Sequence, residues 1–154
     1  MGDRMAAECS IVTVERQLTA VVKVEAPMNE LMQAHQSARA KINEALPKLD
    51  VGPLGLTCTR WRPPVDGVLP MEPGTIVAKS FAAHGDVVAS ELPAGRAAHF
   101  VLKGGFEGLG GAWQKLFEWC AVEKLTLAGL NWEVYGAPAA DPAQQETYLY
   151  AKLA

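Results

Sequence analysis

The order of the predicted elements constrains the fold most, because strand, helix, strand, strand occurs twice along the chain. Runs of β-branched residues between turn signals predict the strands, and apolar residues at helical spacing predict the helices. The opening strands of the two units lie roughly 85 residues apart, which indicates an internal repeat. The first unit is predicted at residues 10–25, 29–46, 54–61 and 75–81, and the second at 97–103, 107–122, Leu127–Tyr135 and Glu146–Leu153.

Each predicted helix has one apolar face. Asn29 stands where an N-cap is expected for the first helix, and Pro47 ends it. A further short strand or extended link is predicted over Val87–Leu92, and a tight turn follows at Pro93-Ala94-Gly95. The apolar positions are Leu31, Ala34, Ala38, Ile42 and Leu46 in the first helix, and Leu109, Trp113, Leu116, Phe117 and Cys120 in the second.

Two such units are expected to fold together, because one unit alone is too small to bury a helix against a sheet. The predicted fold is α+β, with two tandem repeats related by a pseudo-twofold axis, an antiparallel sheet and a central ligand cleft. A single domain is expected over residues 1–154, with halves at about 8–92 and 93–154. The cleft between the halves is the natural place for a ligand.

Composition excludes several classes of function. Of the 154 residues, 49% are hydrophobic, which is enough for a packed core. A net charge of −3 argues against a nucleic-acid-binding surface, which needs clustered Lys and Arg. No apolar run approaches the roughly 20 residues that span a bilayer, and no apolar signal core follows Met1. The protein is therefore expected to be cytoplasmic.

Metal and cofactor binding are not expected. The three cysteines, Cys9, Cys58 and Cys120, are far apart and form no CxxC pair, so they are interpreted as reduced thiols. The histidines have no zinc-ligand spacing. The glycine-rich run at 104–111 lacks both a phosphate-loop ending and a dinucleotide fingerprint, and is interpreted as a strand-to-helix turn.

Glu133 is the principal candidate for a functional residue. Alternation along its strand sends Asn131, Glu133 and Tyr135 to one face and Trp132 to the other. Burial of an unpaired carboxylate costs several kcal/mol, so Glu133 must pair with a base, lose its charge or face a ligand cavity. The structural alternative is an ion pair with Lys79, Lys103 or Arg60, or exposure to solvent.

Aromatic and histidine side chains are further candidates. Of the four tryptophans, Trp61 and Trp113 are those that could wall a cavity, although core packing explains at least two of the four. Tyr148 and Tyr150 share one face of the last strand, and Tyr148 is favoured for the pocket. His99 lies on a strand that could neighbour Glu133, as a proton-transfer partner.

Four stretches of the chain resemble the GyrI-like small-molecule-binding domain, which is also the effector-binding part of AraC- and MerR-type multidrug regulators. The first is ELPAGR at 91–96, like the family's turn before its second half. The second is Phe100 to Gly104 followed by Phe106. The third is LFEW at 116–119, and the last is WEVY at 132–135, followed by a Pro-rich loop and TYLY at 147–150. The resemblance covers nearly the whole chain.

The resemblance implies a pocket for hydrophobic, aromatic and cationic compounds. It assigns the pocket glutamate to Glu133 and a pocket aromatic of the last strand to Tyr148. Phe106, after the glycine break, is a further candidate for ligand binding. A pocket tyrosine often follows the Pro-Ala-Gly turn in the family, and Ala97 stands there instead. The regulators carry a DNA-binding domain, and none is predicted here, so a free-standing member that does not bind nucleic acid is expected. Homodimerisation is left open.

Three functions remain open from the sequence. The first is a binding module that senses or sequesters drugs. The alternative is an enzyme, since some relatives hydrolyse electrophilic cyclopropane-bearing aromatic natural products, and Glu133 would then be the general base. The third is a protein-interaction module that works without a small ligand. The resemblance to the family implies inhibition of a topoisomerase as an example, through an acidic surface, for which a net charge of −3 is small.

Overall fold

A computed structural model describes residues 8–154. Residues 1–7, where the sequence predicts no signal segment, lie outside the described part. In the described part, strands and helices alternate as the sequence predicts, with short 3₁₀ turns between several of them. The strands are β1 (Ser10–Val14), β2 (Gln17–Val22), β3 (Val24–Pro27), β4 (Thr57–Trp61), β5 (Val68–Ile76), β6 (Val87–Leu92), β7 (Gly95–Lys103), β8 (Leu127–Tyr135) and β9 (Glu146–Leu153), and the helices are α1 (Leu31–Ala45) and α2 (Leu109–Val122).

All nine strands form one antiparallel sheet, and the predicted α+β class is confirmed. The strand order is β1-β7-β9-β8-β4-β5-β2-β6, with β3 paired to β5. Outward from the central pair β8–β4, the order β8, β9, β7 on one side corresponds to β4, β5, β2 on the other. Each unit therefore repeats the same arrangement, with the strand after its helix at the centre.

The strands that lead into each unit are exchanged between the units. β1 precedes β2 but pairs with β7, while β6 precedes β7 but pairs with β2. Only two residues join β1 to β2, and only two join β6 to β7. Across such a two-residue link, the Cα atoms at the two strand ends lie at most roughly 11 Å apart. The links therefore bring together strands from opposite ends of the pairing order, so the sheet must curve.

Both helices cover the same face of the sheet and leave a cleft between them. Helix α1 packs through Ala38 and Ile42 on the first unit, and α2 packs through Leu116 and Cys120 on the second. The opposite face has its own cluster of buried residues. That cluster contains Cys58, Leu92, Ala97, Trp132 and Val134.

The largest difference from prediction concerns β5. The sequence predicts a strand over 75–81, whereas the strand is Val68–Ile76 and contains Pro70, Pro73 and Gly74. Proline cannot donate to a ladder and normally argues against an internal strand. Along one edge of β5, the partner strand changes from β3 to β2, because Met71 pairs with Val24 and Gly74 pairs with Val21. Pro73 lies at this change of partner, where the ladder is interrupted.

Two smaller expectations are also corrected. Asn29 does not cap α1, because a 3₁₀ turn over Met28–Glu30 precedes the helix and no side chain caps it. The predicted strand over 10–25 is divided into three strands: β1 pairs with β7, β2 pairs with β5 and β6, and β3 pairs with β5. In the described residues, neither helix is long and apolar enough to cross a membrane.

Candidate functional site

A cleft of about 1040 Å³ opens between α1 and α2 above the central pair of strands. Its floor is formed by Thr59 of β4 and by Glu133 and Tyr135 of β8, and its sides by the two helices. Thr59 and Glu133 are direct partners in the β4–β8 ladder, so their side chains leave the same face of the sheet. The cleft therefore lies where the two repeats meet.

Glu133 is buried at the bottom of the cleft, with 8% of its surface exposed. The indole Nε1 of Trp113 donates to its Oε2 at 2.6 Å, and the phenol of Tyr135 donates to its Oε1 at 2.8 Å. Two neutral donors satisfy part of the carboxylate's acceptor capacity, which amounts to about four lone-pair sites. Acceptor capacity remains on the carboxylate for a ligand or for water.

The basic residues expected as alternative partners of Glu133 are engaged elsewhere. Arg60 bonds to Glu72 at 2.9 Å, Lys79 to Asp50 at 3.4 Å, and Lys103 lies 3.9 Å from Glu146. Among the described residues, Glu133 takes part in no salt bridge. The structural alternative of a simple ion pair is therefore excluded for this part of the chain.

Burial governs the ionisation of the site. It raises the pKa of Glu133 above the usual carboxyl value, and the hydrogen bonds from Tyr135 and Trp113 oppose that rise only in part. Burial and the neighbouring Glu133 raise the pKa of the Tyr135 phenol well above its usual value. The Tyr135 phenol therefore keeps its proton at physiological pH.

Aromatic rings form the α2 side of the cleft. Trp61 and Trp113 meet edge to face with ring centroids 4.9 Å apart, and Phe117 stacks on Trp113 at 5.4 Å. Edge-to-face packing holds such rings in a fixed orientation. The sequence expectation that Trp61 and Trp113 line a cavity agrees with their positions.

The mouth of the cleft is apolar and open. Phe106, in the turn before α2, packs edge to face on Tyr135 at 5.6 Å yet remains 59% exposed. Across the opening, Met28 and Met32 present exposed thioether side chains, with Met32 76% exposed. Flexible methionines can adapt to ligands of different shape.

Helix α1 contributes two polar groups that the sequence did not single out for the site. His35 Nε2 lies 3.0 Å from the Thr59 hydroxyl, which in turn lies 2.8 Å from the Tyr135 hydroxyl. The guanidinium of Arg39 donates to the carbonyl oxygens of Gly74 and Cys58, and so ties α1 to β4 and β5. Burial, with a smaller effect of Arg39, lowers the pKa of His35.

Two predicted site residues lie elsewhere. Tyr148 pairs with Val134, and its hydroxyl donates to Glu146, so it belongs to the face of the sheet opposite Glu133. His99 stacks on Tyr150 at 4.5 Å, and Tyr150 pairs with Trp132 on that same opposite face. The placement of Tyr148 and His99 in the cleft is therefore corrected: the register of β8, β9 and β7 turns both away from it.

Tyr135 takes the place expected for an aromatic from the last strand. It lies two residues after Glu133 and hence on the same face, a relation that alternation along β8 already indicates. Thr59 and His35 left no comparable signal, because a threonine in a strand and a histidine on a helix are ordinary. In residues 8–154, no cluster of His, Cys, Asp or Glu has the arrangement of a metal site.

The fold and the cleft define a small-molecule-binding domain. A family model described as the GyrI-like small molecule binding domain matches residues 7–153, and the chain belongs to this family. The resemblance seen in the sequence is thereby confirmed. No curated protein matches the chain.

Several solved structures share the fold. The crystal structure of the EcmrR C-terminal domain has a TM-score of 0.79 at 15% identity, covering 96% of this chain and 98% of that one. In a cryo-EM structure of an EcmrR–DNA complex, the match spans 58% of the EcmrR chain. SAV2435 bound to tetraphenylphosphonium has a TM-score of 0.71 at 11% identity, with 96% and 94% of the chains covered. A hydrolase from Listeria innocua has a TM-score of 0.60 at 12% identity, with 96% and 92% covered.

Proposed function

We propose that the cleft binds hydrophobic aromatic cations, in a role of drug sensing or sequestration. The observation that carries this proposal is the buried Glu133 carboxylate, which has two neutral donors, no basic partner in the described residues and a ring-lined cavity in front of it. A cationic ligand would supply the positive partner that the carboxylate does not have among the described residues. The fold is shared with a protein whose structure contains tetraphenylphosphonium, which supports this class of ligand.

Both parts of such a ligand have a counterpart in the cleft. The positive centre gains from the carboxylate and from the aromatic rings that line the cleft, and a cation over an aromatic ring is worth about 0.5–2 kcal/mol. The apolar body fills a cavity of about 1040 Å³, close to the upper end of the range for drug-sized sites. Specificity is expected to be broad, because shape and charge carry more of the recognition than directed polar contacts.

The test is a titration with tetraphenylphosphonium, in which binding is monitored by tryptophan fluorescence and by calorimetry. Substitution Glu133→Gln keeps the shape and a hydrogen-bond acceptor but removes the charge, so the affinity for the cation should fall about tenfold or more, equivalent to at least 1.4 kcal/mol. Binding of an uncharged aromatic compound of similar size should change little.

Glu118→Gln is the matched control, because Glu118 is exposed on α2 and accepts a hydrogen bond from Gln114. It removes the same charge from the protein without altering the cleft. An equal loss of affinity in both variants, or none in Glu133→Gln, would contradict the proposal.

A second candidate is hydrolysis of electrophilic, cyclopropane-bearing aromatic compounds. The raised pKa of Glu133 favours it, because a general base works best when its pKa approaches the working pH. The carboxylate would take a proton from water while the water oxygen bonds to a ring carbon, the strained C–C bond breaks, and its electron pair passes to the conjugated acceptor and is then protonated. A similar fold occurs in a hydrolase from Listeria innocua.

Turnover is measured by mass spectrometry of such a compound incubated with the protein, where the product is heavier by one water. If the protein is an enzyme, Glu133→Gln should lower turnover by about 10²–10⁴-fold, the usual contribution of a positioned base, and should still bind the compound. The absence of product with the unaltered protein would leave binding as the only function of the cleft.

A further inference from the structure

Thr59 and His35 extend the hydrogen bonds of Glu133 across the floor of the cleft to helix α1. His35 Nε2 lies 3.0 Å from Thr59 Oγ1, Thr59 Oγ1 lies 2.8 Å from the Tyr135 hydroxyl, and that hydroxyl lies 2.8 Å from Glu133 Oε1. These three distances are all within hydrogen-bond range. The contacts cross from α1 to β4 and then to β8, so their geometry depends on the packing of the whole floor.

The number of hydrogens gives this relay a direction. Each of the two hydroxyls carries one hydrogen, and an ionised carboxylate can only accept. If His35 Nε2 carries its proton, it donates to Thr59, Thr59 donates to Tyr135, and Tyr135 donates to Glu133, so that all three contacts are filled. Without the proton on Nε2, two hydrogens remain for three contacts, and the Tyr135 hydrogen can turn away from the carboxylate.

We propose that His35 is a positioning residue that commits the Tyr135 hydroxyl hydrogen to Glu133 through Thr59, and so holds the carboxylate ionised for a cationic ligand. Successive hydrogen bonds in one direction polarise and strengthen each other, which is how the effect of His35 reaches a carboxylate that it does not touch. The inference rests on the proposed binding of cations for its functional meaning. Its physical core, the ionisation of Glu133, can be measured without any ligand.

The other charged groups at the site do not supply this effect. Among the described residues that line the cleft, the ionisable ones are His35 and Arg39 on α1 and Glu133 and Tyr135 on β8. Helix α2 and strands β4 and β5 contribute none of the lining groups that change charge. Arg39 is a fixed charge that donates to two backbone carbonyls, so His35 is the lining group of α1 whose protonation can change.

The experiment follows the side-chain carboxyl carbon of Glu133 by NMR against pH, in protein labelled with ¹³C at the glutamate Cδ. The signal is assigned by its loss in Glu133→Gln. His35→Leu and Thr59→Val should each raise the midpoint of Glu133 ionisation by roughly half a unit, less than the direct donor loss in Tyr135→Phe. His35→Gln, whose amide can still donate to Thr59, should stay close to the unaltered protein.

The combination of two substitutions separates a relay from a local structural role. If His35 acts through Thr59, the double variant should have the same midpoint as Thr59→Val alone. A structural role would lower the unfolding temperature of His35→Leu and leave the midpoint unchanged. An unchanged midpoint, or additive shifts in the double variant, would overturn the proposal.

Titration with tetraphenylphosphonium over the same pH range distinguishes this inference from the function on which it rests. Affinity should rise with pH through the Glu133 midpoint and follow that midpoint in each variant. Shifted midpoints without any binding of tetraphenylphosphonium would overturn the proposed ligand class and support the relay. Binding with an unmoved midpoint would support the ligand class and overturn the relay.

Discussion

Glu133 lowers the stability of the fold in exchange for a charge inside the cleft. Transfer of a carboxylate away from water costs several kcal/mol unless it is fully paired, and here two neutral donors offset only part of that cost. A glutamine in the same place would bury no charge, although its single acceptor oxygen could accept only one of these two hydrogen bonds. Groups with perturbed pKa values in clefts are often functional, so the presence of an acid at this position is informative.

A raised pKa makes stability depend on pH in a definite direction. Because burial raises the pKa of Glu133 in the folded state, the folded protein binds the proton more tightly than the unfolded chain does. The contribution is fully present below the ordinary glutamate pKa and is lost as the pH rises through the raised one. Glu133→Gln should therefore be more stable than the unaltered protein near neutral pH, and the difference should shrink on acidification.

Thermal unfolding of both proteins at several pH values measures this difference. Glu118→Gln serves again as the control, since it removes one carboxylate from the exposed surface of α2. A Glu133→Gln protein that is less stable at neutral pH would show that the carboxylate is better satisfied than its contacts indicate.

Strand β5 shows how an element can form against its local signals. Gly74 is buried where β5 contacts both β2 and β4, as the partner of Val21 and Cys58. A Cβ atom at this position would lie 2.5 Å from Val21 Cγ1 and 2.6 Å from the carbonyl oxygen of Ala20. The second contact is backbone, which cannot move without shifting β2. Glycine is therefore required by the close approach of the strands.

Gly74→Ala should destabilise the protein by about 1–3 kcal/mol, the usual cost of overpacking a core. Gly111→Ala is the matched control, because Gly111 is an exposed helical glycine, and a methyl group added there would have no neighbouring atom within 4 Å. Alanine in a helix is favoured over glycine by about 1 kcal/mol, so this control should gain stability. Chemical denaturation measures both, and a neutral Gly74→Ala would contradict the packing at this crossing.

Elements with clean local patterns were predictable, and partners across the sheet were not. The bounds of β8 and β9 are confirmed to the residue, since alternation and flanking turns mark both. β5 was misplaced, because two prolines and a glycine conceal a strand whose ladder changes partner midway. The position of Glu133 on its face followed from alternation alone. Tyr148 and His99 were misplaced, because register between distant strands is not a property of either strand.

At the scale of the whole molecule, the cleft exists only because two units meet. Its floor is the β4–β8 ladder, whose four residue pairs join the halves, and each side is a helix from a different unit. Neither unit contains both Glu133 and His35. The repeat was visible in the order of elements, but the exchange of β1 and β6 was not, because pairing between distant strands leaves no local pattern in the sequence.

That exchange has a mechanical consequence for the ligand. A compound that turns one unit against the other to spread α1 from α2 meets β1 and β6, which each anchor one unit to the far edge of its counterpart. Widening the cavity therefore strains the entire sheet, and the elastic resistance is spread over every ladder instead of a single hinge. A wider ligand is therefore accommodated by the flexible methionine side chains at the mouth of the cleft before the sheet itself deforms.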